Sequence, residues 1–129
     1  MTAQEYVNGL FELTGHVGII TGASRGIGLG EAEALCNAGA EVYNFDLKDV
    51  QEEDKKESFS GIERFHTIIC NVTEYDELED QIKKIADKHG HIDFLINNAG
   101  ITFKSRAEEF PEERLDAIIN INLKTPFMI

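Results

Sequence analysis

The residues of this chain that could do chemistry begin with a glycine-rich segment at positions 21–28. It follows an apolar run at 16–20 and precedes a stretch with helical spacing, so a strand turns into a helix here. Glycines permit a tight turn and close approach of the backbone, and a helix N-terminus offers free N–H groups and a positive dipole end. The segment predicts a site for the pyrophosphate of a dinucleotide, made by Thr21, Gly22, Ser24, Arg25, Gly26, Ile27 and Gly28. The alternative is that these glycines form only a sharp connection.

An acid at the end of the next strand-like run adds a second part of the same site. Asp46 closes the run at 41–46 and lies 18 positions beyond Gly28. That is near the spacing of about 20 at which a carboxylate accepts hydrogen bonds from the adenosine ribose. A carboxylate there would repel a 2′-phosphate, which favours NAD over NADP, although Arg25 could partly offset the repulsion.

The elements that must position these residues alternate between strand and helix. Strands are expected at 16–21, 41–46, 64–70 and 92–96, and the charged stretch 48–60 is either a short exposed helix or a loop. Residues 1–15 are expected to form a lead-in arm attached through Leu10, Phe11 and Leu13. Four strand and helix alternations indicate an α/β fold with a doubly wound parallel sheet and right-handed crossovers.

Three amphipathic helices are predicted between and after these strands. The first spans 25–38 and ends at Gly39, the second follows Thr73 as its cap and ends at His89 and Gly90, and the third starts near Pro111. Their expected apolar faces are Ile27, Ala34, Leu35 and Ala38; then Leu78, Ile82, Ile85 and His89; then Leu115, Ile118, Ile119 and Leu123.

Composition narrows the class of protein. With 129 residues, 42% of them hydrophobic, the chain fits one domain with its own core. A net charge of -12 argues against binding to nucleic acid or to an anionic membrane, and no apolar run approaches the roughly 18 residues of a membrane span, so cytoplasm is the expected location. Cys36 and Cys70 are expected to be buried, with no disulfide framework or metal site, and the four histidines are expected to be structural.

A second motif, Asn97-Asn98-Ala99-Gly100, follows the fourth strand. Its amides could bond backbone and its small residues could let a cofactor pass, while the alternative is an Asx-type turn. Together with Thr21-Gly22-x-x-x-Gly26-x-Gly28, the motif resembles the short-chain dehydrogenase/reductase family over nearly the whole chain. A Rossmann-like sheet of order 3-2-1-4 is what this resemblance implies.

The resemblance also implies roles for particular residues. Gly22 to Gly28 would lie under the pyrophosphate of NAD, and the second motif, with Asn98, Ala99 and Gly100, would support the sheet and contact the adenosine ribose. Asn71 and Val72 would bind near the adenine; the family usually has an acid where Asn71 stands, and its amide would accept from the adenine amino group. Asn122 matches the helix asparagine of the catalytic tetrad, whereas periodicity alone would make it an ordinary polar helix residue.

The family's catalytic tyrosine, four residues before a lysine, has no counterpart here. Tyr6, Tyr43 and Tyr75 are followed four positions later by leucine, leucine and glutamate. We therefore expect a chain truncated at its C-terminal side, inactive alone, whose parent is an NAD(P)-dependent oxidoreductase of an alcohol or carbonyl compound. Similarity of the segment 10–17 suggests a sugar acid or polyol.

The alternative is a non-catalytic nucleotide-binding or interaction module that ends at Ile129. Whichever holds, the far edge of the fourth strand and the last helix are expected to be uncovered in these 129 residues. Such surfaces predict association, with a homo-oligomer as the expected form.

Overall fold

Four parallel strands form the central sheet of the protein. The computed structural model describes all of residues 1–129. The strands are β1 (Val17–Thr21), β2 (Glu41–Asp46), β3 (Phe65–Ile69) and β4 (Phe94–Ile96). Their order is β3-β2-β1-β4, with Gly18 of β1 opposite both Val42 and Phe94. The predicted fold class and strand order are confirmed, and each strand lies within two residues of its expected bounds.

Side chains of β1 and β2 divide between two cores, one on each face of the sheet. Ile19 and Phe45 belong to the core that α3 (Tyr75–His89) covers, while Ile20 and Val42 belong to the core under α2 (Gly26–Asn37). All five residues of β1 are buried. Burial on both faces explains why this strand is continuously apolar rather than alternating.

The predicted apolar face of α2 was only partly right, because Leu35 packs against the core but Ile27 and Ala34 do not. The helix turns Gly28, Leu29, Ala32 and Cys36 toward the sheet, while Ile27 is 79% exposed and Ala34 also faces outward. Three of the four buried residues are small, so the helix can approach β1 and β2 closely. Its end agrees with prediction, because Gly39 has a φ of +106° and donates its N–H to the carbonyl of Cys36.

The N-terminal segment contains a helix, α1 (Ala3–Phe11), in the part of the chain that was expected to be a lead-in arm. Thr2 Oγ1 accepts from the N–H of Glu5, and the Glu5 carboxylate accepts from the N–H of Thr2 at 2.6 Å. This reciprocal capping box is readable as Thr-x-x-Glu and was missed. Leu10 and Phe11 are exposed, and only Leu13 packs on the body, so two of the three expected attachments were wrong.

Between β2 and α3, the sequence left open whether the charged stretch 48–60 is a short exposed helix or a loop, and the structure shows a loop. This loop has a 3₁₀ turn at Glu52–Asp54, its Phe59 is buried, and a second 3₁₀ turn at Ile62–Arg64 leads into β3. Helix α3 buries Leu78 and Ile85 as predicted and ends at Gly90, whose φ is +81°. Glu74 occupies its N-cap with no side-chain cap, so the expected role of Thr73 was wrong.

The last predicted helix is three joined segments. Pro111 is the N-cap of α4 (Glu112–Ile119), a π-helical segment follows at Asn120–Lys124, and α5 (Thr125–Met128) completes the run. Leu115, Ile119 and Leu123 are exposed, so the expected apolar face is present but uncovered here. No helix in the protein has both the length and the apolar character needed to span a membrane.

Candidate functional site

One cavity of about 430 Å³ opens at the carboxyl ends of the strands. The sequence-predicted residues that line it are Gly22, Arg25, Gly26, Ile27, Gly28, Asp46, Asn71, Val72, Asn98, Ala99 and Gly100. Thr21 and Ser24 lie outside this lining, as does Asn97. Residues from four separate stretches of the sequence therefore meet around one space, whose volume falls in the range of about 300–1,000 Å³ typical of ligand pockets.

The glycine loop fits tightly against the end of β4. Gly22 has a φ of +68°, and a Cβ there would lie 2.9 Å from Ala99 Cα. A Cβ on Gly28 would lie 2.9 Å from Ala23 Cα and would also collide with Asn98 Nδ2. Larger residues would push the loop away from β4 or out into the cavity. The glycines thus set the floor of the site.

Helix α2 begins at the cavity with an uncapped N-terminus. Arg25 is its N-cap and makes no side-chain capping bond, and no acid stands in the first turn. The first N–H groups of a helix have no intrahelical partner and carry the positive end of the dipole. Arg25 is exposed and adds a full positive charge. This end of the cavity suits a phosphate or pyrophosphate.

Asp46 places a carboxylate at the end of β2. Oδ2 accepts from the N–H of Ser24 at 3.1 Å and Oδ1 accepts from the N–H of Leu47 at 2.7 Å. Each oxygen accepts one backbone N–H and keeps acceptor capacity for a further hydroxyl donor. The carboxylate is therefore held in place at the cavity wall without being saturated.

Asn44, which sequence reasoning missed, supports the loop from inside the sheet. Its Oδ1 accepts from the N–H of Ala23 at 2.7 Å, and its Nδ2 donates to Ser24 Oγ at 2.8 Å. Ser24 Oγ in turn donates to the carbonyl of Lys48. Asn44 is fully buried, and the signal for it was an amide in the middle of a buried strand.

Thr21 and Asn98 join the glycine loop to β4. Thr21 Oγ1 accepts from the N–H groups of Asn98 at 3.1 Å and Ala99 at 2.9 Å. Asn98 Nδ2 donates back to the carbonyls of Thr21 at 3.1 Å and Gly22 at 2.9 Å. These reciprocal bonds fix the two motifs relative to each other. They use the side chains of both residues for positioning.

The predicted catalytic residue, Asn122, lies on the π-helical segment beside Gly100. Its Oδ1 accepts from the N–H of Ile101 and its Nδ2 donates to the carbonyl of Ile101, both at 2.9 Å. The amide thus holds the chain that follows the second motif, and its neighbour Ile121 lines the cavity. π-helical segments are frequent at functional sites. The catalytic role of Asn122 stays a prediction.

The side chain of Asn71 is hydrogen-bonded to Thr73, two positions further along the chain. Its Oδ1 accepts from the N–H of Thr73 at 3.0 Å and from Thr73 Oγ1 at 2.8 Å. A carbonyl oxygen has two lone pairs, and both are used here. The expected bond from an adenine amino group to this oxygen is therefore not available.

Five lining residues were not predicted: Phe45, Leu47, Cys70, Ile101 and Ile121. All five are direct neighbours of predicted residues, and sequence proximity was the available signal. Cys36 and Cys70 are both buried, as expected. Burial raises the pKa of the Cys36 thiol to about 12 and that of the Cys70 thiol to about 11.

The histidines do not line this cavity. His66 pairs with Glu41, His89 shares a hydrogen bond of 2.7 Å with the Tyr43 hydroxyl, and His91 lies 3.0 Å from the carbonyl of Gly15. These three and His16 all lie nearer the amino ends of the strands, at the opposite end of the sheet from the cavity. Their contacts connect neighbouring elements.

Comparison with known proteins gives one consistent result. A family model described as short chain dehydrogenase matches residues 16–129. The chain is 35% identical over 118 residues to a 3-oxoacyl-acyl-carrier-protein reductase from Thermotoga maritima, covering 91% of this chain and 48% of that protein. It is 37% identical to a gluconate 5-dehydrogenase from Gluconobacter oxydans, covering 93% and 47%.

The solved structures agree with the sequence matches. A 3-ketoacyl-acyl-carrier-protein reductase from Brucella melitensis complexed with NADH aligns with a TM-score of 0.77 and 27% identity, over 91% of this chain and 48% of that one. The chain spans about half the length of the curated relatives it matches.

Proposed function

The chain belongs to the short-chain dehydrogenase family, and on that premise we propose that it is the cofactor-binding part of an NAD-dependent oxidoreductase. The enzyme would transfer a hydride between the nicotinamide ring and a small alcohol or carbonyl compound. The observation that carries the proposal is the single cavity onto which the glycine loop, Asp46 and the Asn98 motif all open.

A dinucleotide fits the residues present. Gly22 and Gly28 form a concave surface in which a Cβ at either position would not fit, and the uncapped N-terminus of α2 opens beside this surface. We assign the pyrophosphate to this region and the adenosine ribose to Asp46. Asn71 and Val72 would border the base, and Asn98, Ala99 and Gly100 the opposite wall. When bound, the nicotinamide cofactor supplies the hydride acceptor or donor.

NAD is the proposed cofactor rather than NADP. A 2′-phosphate on the ribose would meet the Asp46 carboxylate, whose two oxygens are fixed by backbone N–H groups and cannot easily turn away. Arg25 is the only cation among the lining residues, and its charge would offset that repulsion only in part.

The chemical step needs a proton donor and acceptor beside the hydride transfer. We propose that a tyrosine and lysine pair outside these 129 residues fills that role, and that the 129-residue chain alone binds cofactor without turnover. Asn122 would act as a positioning residue through its two bonds to Ile101. A sugar acid or polyol is the proposed substrate, supported by the similarity to gluconate 5-dehydrogenase.

We also propose a homo-oligomer located in the cytoplasm. An apolar stripe on the last helical run supports association, since Leu115, Ile119, Leu123 and Phe127 follow each other at intervals of four and are all exposed. Strand β4 pairs only with β1, which leaves its other edge open within these residues.

Calorimetric titration with NAD and NADP tests the cofactor assignment. Asp46→Ala removes the ribose acceptor, and we expect it to weaken NAD binding about tenfold or more, because hydrogen bonds to a charged group contribute about 1.5–3 kcal/mol. NADP binding should change little or improve. Asp87→Ala, an exposed acid on α3 away from the cavity, removes the same charge and should alter neither affinity. Equal losses of NAD and NADP in Asp46→Ala would contradict the ribose assignment.

A further inference from the structure

The end of the cavity beyond Asp46 carries an amide whose two polar atoms are not equivalent. Asn71 Oδ1 must face Thr73, because the backbone N–H of Thr73 can only donate and lies 3.0 Å from it. The Thr73 hydroxyl donates to the same oxygen at 2.8 Å. This geometry fixes the orientation of the amide, which is otherwise assigned only from its surroundings. Nδ2 has no protein acceptor and is the atom left for a ligand.

Asn71 lies where the base of a dinucleotide would be. The cavity runs from the α2 N-terminus, through Asp46, to the pair Asn71 and Val72 at the end of β3. If the pyrophosphate binds at the helix and the ribose at Asp46, the base follows the ribose toward β3. This placement rests on the proposed function.

We propose that Asn71 makes the base subsite a hydrogen-bond donor, so that the protein accepts a 6-oxopurine dinucleotide at least as well as NAD. The 6-amino group of adenine donates, whereas the 6-oxo group of hypoxanthine accepts. An acceptor at this position would select adenine. Nδ2 is a donor, so it can bond to the oxo group or to a ring nitrogen, but it cannot accept a hydrogen bond from the amino group. Selection for adenine over hypoxanthine is therefore absent at this atom.

The isosteric replacement Asn71→Asp reverses the chemistry at this one atom. One carboxylate oxygen can keep both bonds to Thr73, and the other stands in the place of Nδ2 as a charged acceptor. The matched control is Asn8→Asp on α1, which adds the same charge to an exposed asparagine far from the cavity in sequence and outside its lining.

Calorimetric titration with NAD and with nicotinamide hypoxanthine dinucleotide measures the ratio of the two dissociation constants. We expect the wild-type chain to bind the hypoxanthine dinucleotide as tightly as NAD or more tightly. Asn71→Asp should shift the ratio about tenfold toward NAD, the scale of one differential hydrogen bond, and Asn8→Asp should leave it unchanged. Circular dichroism checks that the variants fold.

Three results would count against the proposal. A wild-type preference for NAD greater than about tenfold, or an unchanged ratio in a folded Asn71→Asp variant, overturns the donor assignment while leaving NAD binding in place. The wild-type ratio tests it even if the variant fails to fold. Binding of neither dinucleotide to the wild-type chain overturns both this inference and the proposed function.

Discussion

Gly28 and Gly30 lie two residues apart on α2 and should respond in opposite ways to the same added methyl group. A Cβ on Gly30 meets nothing within 4 Å, so Gly30→Ala should stabilise the chain by up to about 1 kcal/mol through helix propensity. A Cβ on Gly28 would lie 2.9 Å from both Ala23 Cα and the Gly22 carbonyl oxygen, which are backbone atoms. Overpacking of this kind costs roughly 1–3 kcal/mol.

The clash at Gly28 also reaches the second motif. The new methyl group would displace Asn98 Nδ2, which donates to the carbonyls of Thr21 and Gly22. The two lost bonds cost roughly 1 kcal/mol each and the helix propensity gained is about 1 kcal/mol, so with the overpacking we expect Gly28→Ala to be less stable than wild type by about 2–4 kcal/mol.

Urea unfolding followed by far-ultraviolet circular dichroism measures both free energies, and titration with ADP-ribose measures the site. Gly28→Ala should bind ADP-ribose more weakly because the floor of the cavity moves, whereas Gly30→Ala should bind as wild type does. Equal stability and equal binding of the two variants would refute the argument that Gly28 is needed for the contact with β4.

Two further predictions concern other buried groups. Thr21→Val keeps the shape of the side chain but removes the acceptor of the Asn98 and Ala99 N–H groups, so it should lower the free energy of unfolding in urea by roughly 1–3 kcal/mol. The exposed control Thr102→Val should change that free energy by less than about 0.5 kcal/mol. Equal effects of the two substitutions would contradict the role of the Thr21 hydroxyl. The pKa of the Cys36 thiol is raised from 9.0 to about 12 by burial, so its contribution to stability is fully present below pH 9.0 and is lost as the pH rises toward 12. Unfolding measured from pH 8 to 11 should show the decline, Cys36→Ala should make it shallower, and a stability that rises over this range would contradict the assignment.

The order of elements and the location of the site could be predicted from the sequence because they depend on local patterns. Apolar runs bounded by glycine or acid mark the strands, and the bounds of β2 agree with prediction at both ends. The glycine loop and Asp46 each follow a strand, and the carboxyl ends of parallel strands meet at one edge of a sheet. The convergence of these motifs on one cavity therefore needed only chain order and strand direction.

Details of packing could not be predicted in the same way. Helical periodicity selected Ile27 and Ala34 for the buried face of α2, but the sheet accepts the smaller face with Gly28, Ala32 and Cys36. Which face is buried depends on how closely two surfaces can approach, and that distance is not a property of one helix. Asn44 was missed for a related reason, since its partners Ala23 and Ser24 are 21 and 20 positions away in the sequence.

The sequence by itself determined the parallel sheet, its strand order and most of the residues that line the cavity, because periodicity, turn glycines and the family motifs are all local in the chain. Only the tertiary structure decided which atoms of those residues remain free to bind a ligand. Asn98 and Asn122 use their amides on backbone groups, and Asn71 uses its oxygen on Thr73 and keeps its Nδ2. A residue type sets how many hydrogen bonds a side chain can make, but the folded neighbours determine which of them are already taken.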